Sequence, residues 1–289
     1  MQWQAALFPS RKQLTKKCLL PTSNWLSYSE RRARHCRRNP MNTLTNRTAI
    51  VTGASKGIGA GIAAELGKAG AAVVVNYRTD AAGAERVARA ITANGGRAVA
   101  VQGDVGQEAE VSRLFHAARA EFGPVDILVN NAGVATFGPL TAITREEFNR
   151  QITTNLYGTI LATQALAGQE DIDRASIINV STGGTLQFPA YGSLYVATKS
   201  AVEAFTVISA KELGPRGIRV NGIAPGPSDT EGTRSSGFVG SDLEAASLAA
   251  TPLGRTGTPD DYGPVVAFLA SDDARWITGD IILVSGGQR

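Results

Sequence analysis

Thr48–Val51 is a short β-branched run, and TGASKGIG follows it directly from Thr52 to Gly59. Ala60–Ala69 then has helical character. A strand that ends in a glycine turn and passes at once into a helix limits the possible folds more than any other stretch of the chain. It is the opening of a dinucleotide-binding unit. Gly53 permits the tight turn, and Gly57 lets backbone N–H groups approach a pyrophosphate at the helix N-terminus. Gly59 lets helix and strand pack closely. Glycine triplets also occur in ordinary turns. Here the triplet lies between a strand and a helix, and a second strand, Ala72–Asn76, follows.

At the end of that second strand, a site selective for NAD places an Asp or Glu on the ribose 2′-hydroxyl. This chain has Asn76-Tyr77-Arg78. No carboxylate stands there to repel a 2′-phosphate, and Arg78 can pair with one. Lys56, inside the glycine turn, reaches the same region. Two cations and no acid favour NADP(H) over NAD(H).

The remaining pattern repeats strand and helix. Ala82–Ala93 is an alanine-rich helix closed by Asn94-Gly95-Gly96. Ala98–Val101 is a third strand that closes on GDV with Asp104, followed by a helix over Glu108–Phe122. Asp104 sits at a strand end, where it either bonds an adenine or caps that helix. Asp126–Val129 is a fourth strand running into NNAG, Asn130 to Gly133. Thr144 and Glu147 have capping-box spacing at the start of a helix that carries Asn155, an unfavourable residue in a helix interior. Ser176–Val180, Arg219–Ile223 and Ile281–Val284 read as later strands, and residues 231–250 as a flap with a short helix. Six or seven strands, each followed by a helix and joined by right-handed crossovers, make one doubly wound parallel sheet, a Rossmann fold with helices on both faces. A TIM barrel is the alternative, and the glycine turn after the first strand argues against it.

Charge separates the first forty residues from the rest. Residues 1–40 hold nine Lys/Arg and one acid, and the remainder holds 20 basic against 24 acidic residues. The basic pI of about 9.2 therefore belongs to the extension. A mildly acidic body argues against nucleic-acid binding, and no apolar run is long enough to span a bilayer. Residues 1–40 are expected to be a basic disordered extension, with residues 41–289 as one dinucleotide-binding domain. Met41 as the true start is favoured over a targeting peptide or a tail for nucleic acid or membrane. Cys18 and Cys36 both lie in the extension, so the main domain forms no internal disulfide. A cytoplasmic location is expected, or an organelle if the extension is a targeting segment. With two histidines and two distal cysteines there is no metal constellation.

The chemistry centres on IINVSTGGTLQFPAYGSLYVATKSA, Ile177 to Ala201. Tyr195 and Lys199 are four apart on one helix face. A nearby ammonium favours the phenolate and lowers the tyrosine's pKa towards working pH. Ser181 and Thr182 end the apolar run just upstream and offer a hydrogen-bond donor to the same place. Alone, Tyr-x-x-x-Lys also describes many solvated helix faces.

In conjunction, TGASKGIG, GDV, NNAG, the Asn155 segment, Tyr195-x-x-x-Lys199, PGP at Pro225–Pro227 and the closing PLGRTGTPDD and SGG runs resemble the short-chain dehydrogenase/reductase family. They come in the family's order over about residues 46–286. The C-terminal third is most similar to 3-oxoacyl-[acyl-carrier-protein] reductases and related carbonyl reductases. The resemblance implies that Tyr195 is the general acid/base, that Lys199 lowers its pKa and holds the nicotinamide ribose, and that Asn155 holds a relay water. It implies cofactor contacts from Gly53, Ser55, Lys56, Gly57, Ile58, Gly59, Tyr77, Arg78, Asp104, Val105, Asn131, Gly133, Pro225, Gly226 and Thr230, besides Tyr195 and Lys199. The family's carbonyl-polarising serine lies thirteen positions before the tyrosine, where this chain has Thr182. Ser181 is favoured slightly for that task, with Thr182 as the alternative.

The function expected is hydride transfer between NADP(H) and a carbonyl or secondary alcohol. A non-catalytic NADP(H)-binding regulator on the same fold is the alternative, and the full Tyr195/Lys199/Asn155 set argues against it. Phe188, Pro189, Tyr191, Phe238 and Leu243 suggest a partly apolar substrate pocket. Family habit implies a homotetramer built on the helix after Tyr195 and the last helix.

Overall fold

The computed structural model of the chain describes residues 43–289, apart from Ser236. The readings of residues 1–40 and of Met41 lie outside the described residues. Seven strands run parallel: β1 Thr48–Val51, β2 Ala72–Tyr77, β3 Arg97–Gln102, β4 Ile127–Asn130, β5 Ala175–Val180, β6 Ile218–Pro225 and β7 Ile281–Val284. Their order across the sheet is β3-β2-β1-β4-β5-β6-β7. The direction of winding reverses between β1 and β4, and the crevice outside their carboxyl ends is where open α/β sheets bind ligands.

The strands are apolar on both faces because helices cover both. Ala49 and Val51 of β1, Val73 and Val75 of β2, and Ile178 and Val180 of β5 face one core. Their neighbours Ile50, Val74 and Ile177 face the other. That alternation is the pleat of a strand buried on both sides. The first core is closed by α1 (Gly57–Lys68), α2 (Ala81–Ala93) and α10 (Pro259–Ala270). The second is closed by α3 (Glu108–Phe122), α5 (Gly158–Ala167) and α7 (Ser193–Leu213). Ile62, Leu66, Leu114 and Leu166 on these helices are fully buried, so truncating any one to Ala costs about 2–5 kcal/mol.

Two local features depart from the sequence-based expectation. The helix that begins at Arg145–Gln151 (α4) does not run on as regular α-helix. Ile152–Tyr157 forms a π-helical segment before α5. A side-chain pattern does not signal one extra residue in a turn, and such segments gather at functional sites. The flap holds two short helices, α8 (Glu231–Ser235) and α9 (Asp242–Ala249), where one was expected. The remaining short helix, α6 (Gly184–Gln187), follows β5. Among the described residues no helix is long and apolar enough to cross a membrane.

Candidate active site

The glycine turn and the NNAG segment meet at the reversal between β1 and β4. Thr52, at the end of β1, accepts the backbone N–H groups of Asn131 and Ala132 on its hydroxyl, each at 3.0 Å. Asn131 returns its side-chain amide to the carbonyls of Thr52 and Gly53 at 2.8 and 3.0 Å. Asn76, fully buried at the end of β2, accepts the Gly53 N–H at 3.2 Å and donates to Gly103 at 3.0 Å. Three side chains thus hold the turn in shape. Gly53 has φ +60, and a Cβ there would lie 2.9 Å from the Ala132 backbone. A Cβ on Gly59 would lie 2.3 Å from the Asn131 amide nitrogen. Sequence reasoning used Asn76 only as a missing acid and passed over Thr52, because neither residue type marks a brace without its partners.

These residues fit a dinucleotide. The first turn of α1 carries no acid, so its N-terminal N–H groups are available to an anion. The Gly57 N–H already takes one: the Glu231 carboxylate accepts it at 3.0 Å. That carboxylate oxygen stands where a pyrophosphate oxygen would bond. Thr230, beside it, packs over Gly57. On the adenosine side, exposed Arg78 lies 3.9 Å from the Asp104 carboxylate. Asp104 also accepts the Gly106 N–H at 2.9 Å, a turn bond. Lys56 is exposed at the mouth of the turn, with half-buried Ser55 and Ile58 beside it. Tyr77 closes β2, Val105 is buried against Gly158, and Pro225 ends β6 just before Gly226.

At the carboxyl end of β5 the hydroxyls separate. The Thr182 side chain stands close enough to the Tyr195 phenol to favour its ionised form. Thr182 Oγ1 also accepts the Gly184 N–H at 3.2 Å, which leaves its own proton free to donate. Ser181 is 4% exposed and gives its proton to Glu203 at 2.6 Å. The expectation that favoured Ser181 is therefore corrected in geometry: its hydroxyl is spent on a carboxylate, and Thr182 faces the tyrosine. Burial of β5's last residues and a glutamate eight positions beyond the tyrosine decide this, and neither is visible in a residue spacing.

Lys199 Nζ donates to the Val180 carbonyl at 2.8 Å and lies 6.0 Å from the Tyr195 ring centroid. Burial lowers its pKa to about 8. Burial pushes the Tyr195 phenol up, and the neighbouring Thr182 side chain acts the other way. Desolvation of the phenolate, rather than the lowering expected from Lys199, sets the direction at Tyr195. Asn155, on the π-helical segment, accepts the Val134 N–H at 2.8 Å. Its amide donates to the Val134 carbonyl and to Thr198 Oγ1 at 2.9 and 3.0 Å. Gly133 lies between: a Cβ there would come within 3.4 Å of Lys199 Nζ and 3.5 Å of the Asn155 oxygen.

Phe137 packs on Tyr195 with ring centroids 5.6 Å apart and planes at 57°. Phe188, Tyr191 and Leu243 are exposed. Phe188 and Tyr191 hold φ of +47 and +66, a conformation that bulky residues adopt only at a cost. Phe137 carried no signal in the sequence because it lies in an irregular loop beyond NNAG.

A family model described as Enoyl-(Acyl carrier protein) reductase matches residues 53–289. A short chain dehydrogenase/reductase of Aspergillus novofumigatus is 37% identical over 254 residues, 84% of this chain and 96% of that protein. The chain belongs to the short-chain dehydrogenase/reductase family. An uncharacterised oxidoreductase of Methylorubrum extorquens is 51% identical over 249 residues, 86% of this chain and all of that protein. A short chain dehydrogenase from Burkholderia cenocepacia, solved in complex with NADP, superposes with a TM-score of 0.79 at 33% identity, covering 86% of this chain and 99% of that one. The doubly wound sheet is thus the fold of this oxidoreductase family.

Proposed function

We propose that the protein is an NADP(H)-dependent reductase of ketones, reversible as a secondary-alcohol dehydrogenase. The observation that carries this reading is the grouping of the Tyr195 phenol, the neighbouring Thr182 hydroxyl and buried Lys199, which is tied to the Val180 carbonyl at the carboxyl end of β5. A carbonyl oxygen that enters between two neighbouring hydroxyls can take the single proton of each as a hydrogen bond.

When bound, NADPH supplies the hydride. Gly53, Gly57 and Gly59 would line its pyrophosphate, and Arg78 with Lys56 would pair the 2′-phosphate. Thr182 Oγ1 donates to the substrate oxygen and orients it. Tyr195 gives its phenolic proton to that oxygen as negative charge develops there. A phenol held above its ordinary pKa by burial stays protonated and ready to donate. Lys199 stabilises the phenolate that results, and Asn155 holds the loop after β4 and a water that returns the proton. The hydride and proton together convert a ketone to a secondary alcohol, so the step needs no metal. NADP bound to the Burkholderia relative supports the cofactor choice.

Phe137, Phe188, Tyr191 and Leu243 favour an apolar ketone with at least one open side. Activated ketones, diketones and oxoacyl thioesters are the panel to test, by loss of NADPH absorbance. Thr182→Val should lower kcat about 100-fold, while Thr182→Ser stays within a few-fold, as for the loss of one hydrogen bond to developing charge. A Thr182→Val variant as active as wild type contradicts the reading. Exposed Val207 and Ile208 on α7, with Phe268 on α10 and Trp276, support assembly of copies through those helices.

A further inference from the structure

Tyr195, Lys199 and Glu203 follow one another at four-residue spacing along α7, so they rise up one face of the helix. The first two have roles in the proposed reaction, and the third has none. Yet Glu203 makes two of the shortest side-chain contacts at the end of β5. Its Oε1 accepts the Ser181 hydroxyl at 2.6 Å and lies 2.7 Å from Thr185 Oγ1. Thr185 Oγ1 is in turn 2.8 Å from the Thr182 carbonyl, so its single proton is shared between that carbonyl and the carboxylate.

The segment around Thr182 is therefore fastened on both sides. Before it, Lys199 holds the Val180 carbonyl at 2.8 Å, and Glu203 holds Ser181. After it, Glu203 reaches Thr185 in α6. Thr182 is the residue in between, and the Gly184 N–H fixes its hydroxyl oxygen. A carboxylate offers two oxygens and no donor, so it can accept from two hydroxyls without competing for the proton that Thr182 must donate. Charge-assisted bonds of this kind are shorter and stronger than neutral ones.

We propose that Glu203 is a positioning residue: it fixes Ser181 and Thr185 so that the Thr182 hydroxyl stays aimed at Tyr195 and the substrate oxygen. This assigns Ser181 a supporting task in place of the carbonyl-polarising one. The inference rests on the proposed carbonyl chemistry at Tyr195.

The test combines kinetics, cofactor binding and crystal structures of Glu203→Ala, Glu203→Gln and Ser181→Ala. Removing the acceptor in Glu203→Ala should lower kcat about tenfold, the scale of one hydrogen bond to a charged group. KM and the Kd for NADPH should change less than about twofold, since neither group touches the cofactor in this account. Glu203→Gln, which keeps an acceptor oxygen, should restore kcat to within about threefold. Ser181→Ala should lose part of the same activity, and the double variant should be no worse than Glu203→Ala, since coupled groups are not additive. In the crystal structures, which need no cofactor, the Thr182 hydroxyl should leave Tyr195 in Glu203→Ala and keep its place in Glu203→Gln.

A wild-type kcat in Glu203→Ala, or a Thr182 hydroxyl that still faces Tyr195 in that crystal, overturns the inference. So does equal loss of NADPH affinity and melting temperature in the Ala and Gln variants, which marks a purely structural acid. The underlying reading fails separately: Tyr195→Phe or Thr182→Val would then keep full activity, whatever Glu203 does.

Discussion

Lys199 Nζ, four residues beyond Tyr195, donates its bond to the Val180 carbonyl rather than to the tyrosine, at 2.8 Å. The lysine is a buried ammonium tied to the end of β5, and its burial has a consequence for stability. Its pKa falls from 10.5 to about 8 in the folded chain. Between those values the unfolded chain binds the proton and the folded chain does not, so stability rises with pH across that window. Below about 8 both states are protonated, and the cost of the buried charge is present in full. Denaturant unfolding of wild type and Lys199→Met over this range checks the sign. Wild type should gain on the variant as pH rises, and a constant difference between the two contradicts the burial argument.

Arg78 lies 3.9 Å from Asp104 and is otherwise exposed at the end of β2. Replacing it should remove the pairing partner of a 2′-phosphate and leave the rest of the cofactor site intact. Arg78→Ala should weaken NADPH binding about tenfold or more, the scale of a hydrogen bond between charged groups, with NADH binding nearly unchanged. Fluorescence titration with both nucleotides measures the ratio. An equal loss for both would move the 2′-phosphate contact elsewhere.

Glu231 holds the Gly57 N–H that a pyrophosphate oxygen would use. Its charge therefore opposes cofactor entry twice, by occupying the donor and by repelling the phosphates. Glu231→Gln should tighten NADPH about two- to fivefold, the range of a single charge at a helix N-terminus. The gain should shrink at high salt, because the contact is exposed. An unchanged Kd in calorimetry would mean that the flap already stands clear of the site in solution.

The fold was legible because each strand is a short aliphatic run and each turn has its own glycine or cap. Thr48–Val51 and Ile281–Val284 have the bounds expected from the sequence, and the Thr144 cap accepts the Glu147 N–H at 3.1 Å. Tyr195 and Lys199 stand out by spacing and Asn155 as an unfavourable residue in a helix, and the structure sets Lys199 and Asn155 on either side of Gly133. What spacing could not supply was direction. Ser181 and Thr182 are adjacent hydroxyls, and only the position of Glu203 across the gap separates them. The π-helical segment at Asn155 was hidden for a similar reason, since one added residue in a turn leaves the apolar pattern almost unchanged. Asn76 and Thr52 were hidden because their partners are backbone groups of the glycine turn.

The central claim is that Tyr195 protonates a substrate oxygen as hydride arrives from NADPH. The most direct measurement is NADPH consumption by wild type and Tyr195→Phe across the ketone panel, with NADPH affinity measured on both. Removing the general acid while keeping the ring and its packing on Phe137 should lower kcat at least about 100-fold, the low end for general acid catalysis. NADPH should still bind within about twofold, since Phe retains the ring and loses one hydroxyl. Turnover by Tyr195→Phe at the wild-type rate would contradict the account, as would firm NADPH binding by wild type with no ketone, diketone or oxoacyl thioester reduced.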